Sequence, residues 1–187
     1  MSKKTKKVIQ GTLLLADPFM MDVYFRRAAV LICDKHPEGT LGFILNKPLD
    51  VKVKDILMDF PEFEAFAYYG GPVQTDSLHF LHTAGNLIED SQYVSPGIYW
   101  GGNFEKVKSL IKNGLLTPFN IRFYVGYTGW SKGQLEEELK ENTWISHVMD
   151  SNYLFNIKAE KLWQVVLEHK GNTHAVIGQI TDFLNVN

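Results

Sequence analysis

Thiol chemistry is nearly absent from this sequence. A single cysteine, Cys33, excludes an intramolecular disulfide and any zinc site built from several thiolates, and that usage suits a reducing compartment. Net charge is equally scarce, −2 over 187 residues, so no global field draws the chain to nucleic acid or to anionic lipid. Long apolar runs are missing too. Lys3, Lys4, Lys6 and Lys7 imitate the start of a secretory signal, but the run that follows, Leu13 to Ala16, is broken by Asp17 and Pro18. It is too short for a signal core or a membrane span. Residues 1–8 therefore read as a flexible basic tail and the protein as cytoplasmic, with no membrane partner. No repeat or low-complexity linker divides the chain, so residues 1–187 read as one domain.

What is present is ample apolar material, 45% hydrophobic and 13% aromatic, enough for a real core. Gly11 to Ala16 reads as a short strand. Ala28 to Cys33 is a continuous apolar run that predicts a central strand covered on both faces. Pro37-Glu38-Gly39 turns the chain into a partner strand carrying Leu41, Phe43 and Leu45, which makes an antiparallel hairpin. Val53, Ile56, Leu57 and Phe60 sit at helical spacing ahead of Pro61. Phe66–Tyr69, Leu78–Thr83 and Gly97–Trp100 are further strand candidates, and Asn103 caps a helix bearing Phe104, Val107, Leu110 and Ile111 with Gly114 as its stop. Ala159, Leu162, Trp163 and Val166 define a last helix to Gly171, and His174 to Leu184 suggests one more strand. Strands arriving in hairpin-like pairs favour α+β over a doubly wound sheet.

The most legible stretch is Val125 to Trp144. Phe119, Ile121, Phe123, Val125 and Tyr127 alternate with Asn120, Arg122, Tyr124 and Gly126, a strand period. Gly126, Gly129 and Gly133 then permit a sharp turn. Ser131 followed by Gln134 spells a capping box. Beyond it, Leu135 and Leu139 face inward, Glu136 can pair with Lys140, and Glu136, Glu137 and Glu138 form a solvated face.

Candidate chemistry is thin. Cys33 with His36 is the one nucleophile-plus-base pair close in sequence, and Arg26, Arg27 and Lys35 could lower the thiol pKa if gathered around it. Against this, a cysteine ending an apolar strand commonly behaves as a small hydrophobe, and residues 33 and 36 point to opposite faces if the strand continues. His79 and His82 point to opposite faces of a strand and cannot easily share a metal. Gly101-Gly102-Asn103 opens a helix but spells neither a P-loop nor a dinucleotide fingerprint. The aromatic residues are not interleaved with basic ones, which disfavours direct nucleic-acid binding.

Several of these stretches, in order, carry a family resemblance. They are Leu13-Leu14-Leu15-Ala16 with Pro18, Phe25-Arg26-Arg27 leading to Val30-Leu31-Ile32-Cys33, and Gly39 to Pro48. Gly70-Gly71-Pro72-Val73 and Phe80-Leu81-His82-Thr83 follow, then Gly126 to Trp130, Gly133 to Glu136, and Trp144. Taken together they resemble the YqgE/AlgH family of bacterial proteins, over nearly the whole chain after the lysine tail. Pro37-Glu38 and Ser131-Lys132 depart from the commoner spellings, both in turns. The resemblance implies an α+β domain whose bent, mostly antiparallel sheet curls into a pseudo-barrel flanked by helices. It also implies a label of transcriptional regulator, through a link to alginate control, with no family-wide reaction established. The residues themselves show no helix-turn-helix spelling and no basic recognition face.

The expectation is a non-catalytic binding or regulatory domain whose partner is an unknown protein or small ligand, acting indirectly on transcription if at all. Its contacts would come from Arg26, Asn46, Gly70, Gly71, Gly129, Trp130, Gly133 and Gln134, where turn glycines, a large aromatic and uncommitted polar groups recur. No cofactor or metal is expected. The alternatives are a thiol-dependent enzyme or redox sensor using Cys33 and, disfavoured, a direct DNA-binding regulator. Nothing in the sequence sets an oligomeric state.

Overall fold

The apolar run from Ala28 onward becomes β2 (Ala29–His36), whose residues through Cys33 are no more than 1% exposed. A computed structural model describes residues 7–171 of the chain, and β2 lies near the middle of its sheet. A turn at Pro37 and Glu38 leads into β3 (Gly39–Ile44), the expected antiparallel hairpin. On the other side of β2 lies β1 (Thr12–Ala16), which in turn pairs with β10 (Trp144–Val148). β3 pairs along its other edge with β9 (Ile121–Ser131), and β9 pairs along its far edge with β6 (Val73–His82), followed by β8 (Ile98–Trp100) and β7 (Gln92–Ser95). β5 (Phe66–Tyr69) lies parallel to the early part of β9 and antiparallel to β4 (Pro48–Lys52). All other pairings are antiparallel. The sheet curls until its two ends approach each other: the Gln10 side-chain amide donates to the Tyr93 carbonyl, and Gly11 lies against Val94 and Ser95. The result is α+β, a curled, mostly antiparallel half-barrel with helices laid against it.

Alternation along the strands sorts side chains to two faces. Leu13, Leu15, Leu31, Cys33, Phe43, Tyr124 and Leu81 share one face and pack beneath α4 (Ser151–Phe155) and α5 (Ala159–His169). Trp163 of α5 fixes that layer by donating its indole N–H to the Ala16 carbonyl at 3.0 Å. The opposite face carries two clusters. Phe80, Phe123 and Ile121 pack under α2 (Phe104–Lys112), with Val53 of the single-turn α1 (Val53–Ile56) in the same cluster. Leu14, Val30, Ile32 and Trp130 pack under α3 (Gln134–Lys140). Asn103 caps α2 as its position suggests, its side-chain oxygen accepting from the Lys106 N–H at 2.9 Å, and Gly114 at φ +70° closes the end.

Several local readings are corrected. The glycines Gly126 and Gly129 do not form a turn: β9 runs through both to Ser131. Gly126, at φ +66°, kinks the strand opposite the irregular stretch of β6 between Val73 and Leu78, and the alternation inverts across it. Phe123 packs on the α2 face, while seven residues on, after an odd step that should reverse its side, Trp130 lies on that same outward face under α3. Phe119 lies before the strand and is 80% exposed. The amphipathic stretch from Val53 forms one turn only, and Ile56 faces solvent. β4 and β7 had no sequence signal, since both are short and half polar, and β6 begins five residues before Leu78 through the polar stretch Gln74–Ser77. The strand suggested for His174 to Leu184, and residues 1–6 of the basic tail, lie outside the described residues.

Candidate functional site

The end of β9 passes through Lys132 into Gly133, whose φ of +79° only glycine adopts cheaply, and α3 begins at Gln134. Gly133, not Ser131, is therefore the N-cap. Half of the expected box still forms: the Gln134 side-chain oxygen accepts from the Ser131 N–H at 3.0 Å and from the Ser131 hydroxyl at 3.2 Å. The Gln134 amide then donates to Glu138 Oε1 at 2.8 Å, one helical turn on.

Glu138 overturns the reading of three solvated glutamates. Its Oε2 accepts from two indoles, Trp130 Nε1 at 2.8 Å and Trp144 Nε1 at 2.7 Å. The two rings meet edge to face at 5.8 Å, and Phe25 meets Trp144 in the same manner at 5.6 Å. Both tryptophans are at most 5% exposed, so a charge-assisted acceptor is what satisfies their buried donors. Glu136 differs from expectation as well, since it pairs with Lys35 of β2 at 2.6 Å, an interaction that lowers its carboxyl pKa.

A groove of about 360 Å³ opens beside this cluster. Thr128, Gly129 and Trp130 of β9 form its floor, Gln134 and Glu138 one side, and the loop bearing Met20 and Phe25 the other. That loop was missed in the sequence. Most of its outward side chains are apolar: Phe19 is 64% exposed, Met21 80%, Val23 79% and Tyr24 50%, with Asp22 and Arg26 exposed among them. The backbone under them is braced. Asp17 Oδ1 accepts from the Phe19 N–H at 2.9 Å, and Asp22 Oδ1 from those of Tyr24 and Phe25 at 2.8 and 3.1 Å. The Lys47 amine donates to the carbonyls of Val23 and Tyr24. Burial holds the Lys47 pKa below its ordinary value, with Arg26 adding to the effect. The signal that could have found the loop is its composition, apolar yet with neither a strand nor a helix period.

The expected contact residues separate into two groups. Gly129, Trp130 and Gln134 line the groove, with Gly133 beside them at the head of α3 and Arg26 exposed in the loop. Asn46, Gly70 and Gly71 are spent elsewhere. Asn46 is no uncommitted polar group: its Oδ1 accepts from the Ala29 N–H and its Nδ2 donates to the Arg27 carbonyl, both at 2.8 Å, tying the end of β3 to the start of β2. Gly70 and Gly71 are buried where the chain crosses β9, and an added Cβ would lie 2.3 Å from the Gly126 carbonyl oxygen or 2.2 Å from that of Tyr127.

Cys33 sits in the core, its thiol 3.7 Å from the Leu31 carbonyl. Burial pushes its pKa up, and Asp34 adds to that. Its expected activators do not gather around it, for Lys35 is paired with Glu136 and the exposed His36 with Asp34 at 2.9 Å. His79 and His82 face opposite sides of β6. His79 lies among Phe43, Trp100 and Tyr127. His82 is neutral in its hydrogen bonding, Nδ1 accepting from the Ala84 N–H and Nε2 donating to the Gly101 carbonyl at 2.9 Å. Burial lowers both imidazole pKa values. Among the described residues no group of three His, Cys, Asp or Glu side chains is placed to hold a metal ion, and no helix is long and apolar enough to cross a membrane.

Comparison with known proteins agrees with this architecture. A UPF0301 protein of Chlorobium chlorochromatii is 41% identical over 182 residues, 97% of each chain. One of Chlorobaculum parvum is 37% identical over 177 residues, 95% of each. Among solved structures, the crystal structure of protein DIP2367 from Corynebacterium diphtheriae superposes with a TM-score of 0.77 at 19% identity, covering 94% of each chain. The solution structure of the AlgH protein from Pseudomonas aeruginosa gives 0.71 at 24% identity, covering 94% of this chain and 96% of that one. Both likenesses are of fold. The AlgH-like family model matches residues 13–175, and the chain belongs to that family.

Proposed function

We propose that this protein is a non-catalytic binding domain that holds a partner protein on the braced apolar loop, residues 19–24, and in the groove between that loop and the Trp130–Glu138–Trp144 cluster. The observation that carries the reading is the loop itself. Phe19, Met21, Val23 and Tyr24 stand at least half exposed on a backbone fixed by side-chain caps, and clustered exposed apolar surface of this kind marks interaction sites. The groove supplies aromatic edges beside a carboxylate, the mixture that anchors partner side chains. Any influence on transcription passes through that partner. A net charge of −2 gives direct duplex binding no electrostatic drive, and a buried, high-pKa thiol gives a Cys33 nucleophile or redox sensor no support. Work in the cytoplasm fits the lone, unpaired cysteine.

The test places a photo-crosslinking residue at Met21 in living cells of the source organism, with Met58, 92% exposed on another surface, as the control. A discrete protein adduct at Met21 and none at Met58 is expected. The same adducts from both positions, or none from Met21, overturn the reading.

A further inference from the structure

The other face of β9 carries a second feature that the loop and groove do not explain. Register places Tyr124 directly beside Tyr68 on one neighbouring strand and His79 on the other, and Arg122 beside Leu81, so these side chains share the α4 face. The Arg122 guanidinium lies 4.4 Å over the Tyr68 ring and 5.8 Å from that of Phe155. Its Nη1 and the hydroxyl of Tyr124, a residue with no exposed surface, are both buried, and neither meets any partner but the other. No acidic side chain among the described residues pairs with Arg122. A half-buried cation lacking a counter-anion is costly, and the neutral Tyr124 hydroxyl beside it is no substitute for one. Neighbouring groups are aromatic and half exposed: Tyr68, His79, Trp100, Tyr127 and Phe155.

We propose that this face is a binding site for a small organic anion that carries a planar ring. Its oxyanion, carboxylate or phosphate, accepts from Arg122 Nη1 and the Tyr124 hydroxyl, a strong charge-assisted arrangement. Its ring stacks among Tyr68, His79 and Trp100. The site lies across the sheet from Trp130 and is independent of the partner surface, so either can fail without the other.

The chain has three arginines, Arg26, Arg27 and Arg122, so the guanidinium Nε–H region of a ¹H–¹⁵N spectrum offers three signals, assigned with Arg122→Lys. The probes are indole-3-acetate and adenosine 5′-monophosphate, with acetate and inorganic phosphate as ring-free controls. The Arg122 signal is expected to move saturably with at least one ring-bearing probe, and at least tenfold more weakly with its ring-free counterpart. Tyr124→Phe, which keeps the ring and removes only the hydroxyl, is expected to weaken that binding about tenfold, so the test holds even if Arg122→Lys does not fold. Tighter binding of the acetate derivative identifies an aromatic acid as the ligand class, and tighter binding of the monophosphate a nucleotide. An Arg122 signal unmoved by all four probes, equal affinity for ring-bearing and ring-free anions, or no change in Tyr124→Phe overturns the proposal.

Discussion

At the scale of single residues, the polar side chains that matter are the ones already committed. Glu138 is the clearest case. Glu138→Ala would leave two buried indole donors without an acceptor, and each such orphan costs on the order of 1–3 kcal/mol. The expected loss is about 2–4 kcal/mol in urea unfolding, with Glu138→Gln costing less because an amide oxygen still accepts. A loss below about 0.5 kcal/mol for the alanine variant would show that the indole bonds contribute nothing net. Trp130 and Gln134 were legible from the turn and helix spelling, since both belong to one local segment. Glu138 was not, because in sequence it is one of three consecutive glutamates, and only the fold brings Trp144 to it from β10. Asn46 misled for the converse reason: its partners, Ala29 and Arg27, are 17 and 19 residues away.

Among the elements, β9 organises the sheet. Its eleven residues serve β3 and β5 along one edge and β6 along the other. The device that lets one strand do so is the kink at Gly126. An alanine there would meet both a left-handed φ and the Gly71 carbonyl oxygen at 2.5 Å, whereas at Gly114, φ +70°, nothing lies within 4 Å. The φ penalty alone is about 1–2 kcal/mol. Gly114→Ala should therefore cost about 1 kcal/mol, and Gly126→Ala several times that, read as the difference in unfolding midpoint. Equal costs would mean that the crossing relaxes and the contact does not matter. The alternating pattern around β9 was visible in the sequence, but its reversal was not, since a glycine in a turn and a glycine kinking a strand are spelled alike.

For the whole molecule, burial on both faces of a curled sheet sets how stability responds to acid. His79 and His82 have folded-state pKa values lowered by burial. The unfolded chain therefore binds more protons below its ordinary histidine pKa of about 6.5, and stability falls as pH drops through that value. His79→Phe keeps a ring among Phe43, Trp100 and Tyr127 and removes the titrating nitrogen, so it should flatten the loss between about pH 6.5 and 5. Unchanged slope in urea midpoints across that window would remove His79 from the linkage.

The sequence by itself determined many of the local elements and the family. The Ala28–Cys33 run, the Pro37–Glu38 hairpin, the Asn103 cap and the amphipathic last helix all rest on periodicities and caps that act over a few residues. Tertiary structure alone decided which polar groups are satisfied and which are left over. Whether Glu138 is solvated, whether Asn46 is available and whether Arg122 finds a counter-charge depend on partners delivered by strand pairing across the sheet. Burial, which makes an unmet donor expensive, exists only once the sheet has curled.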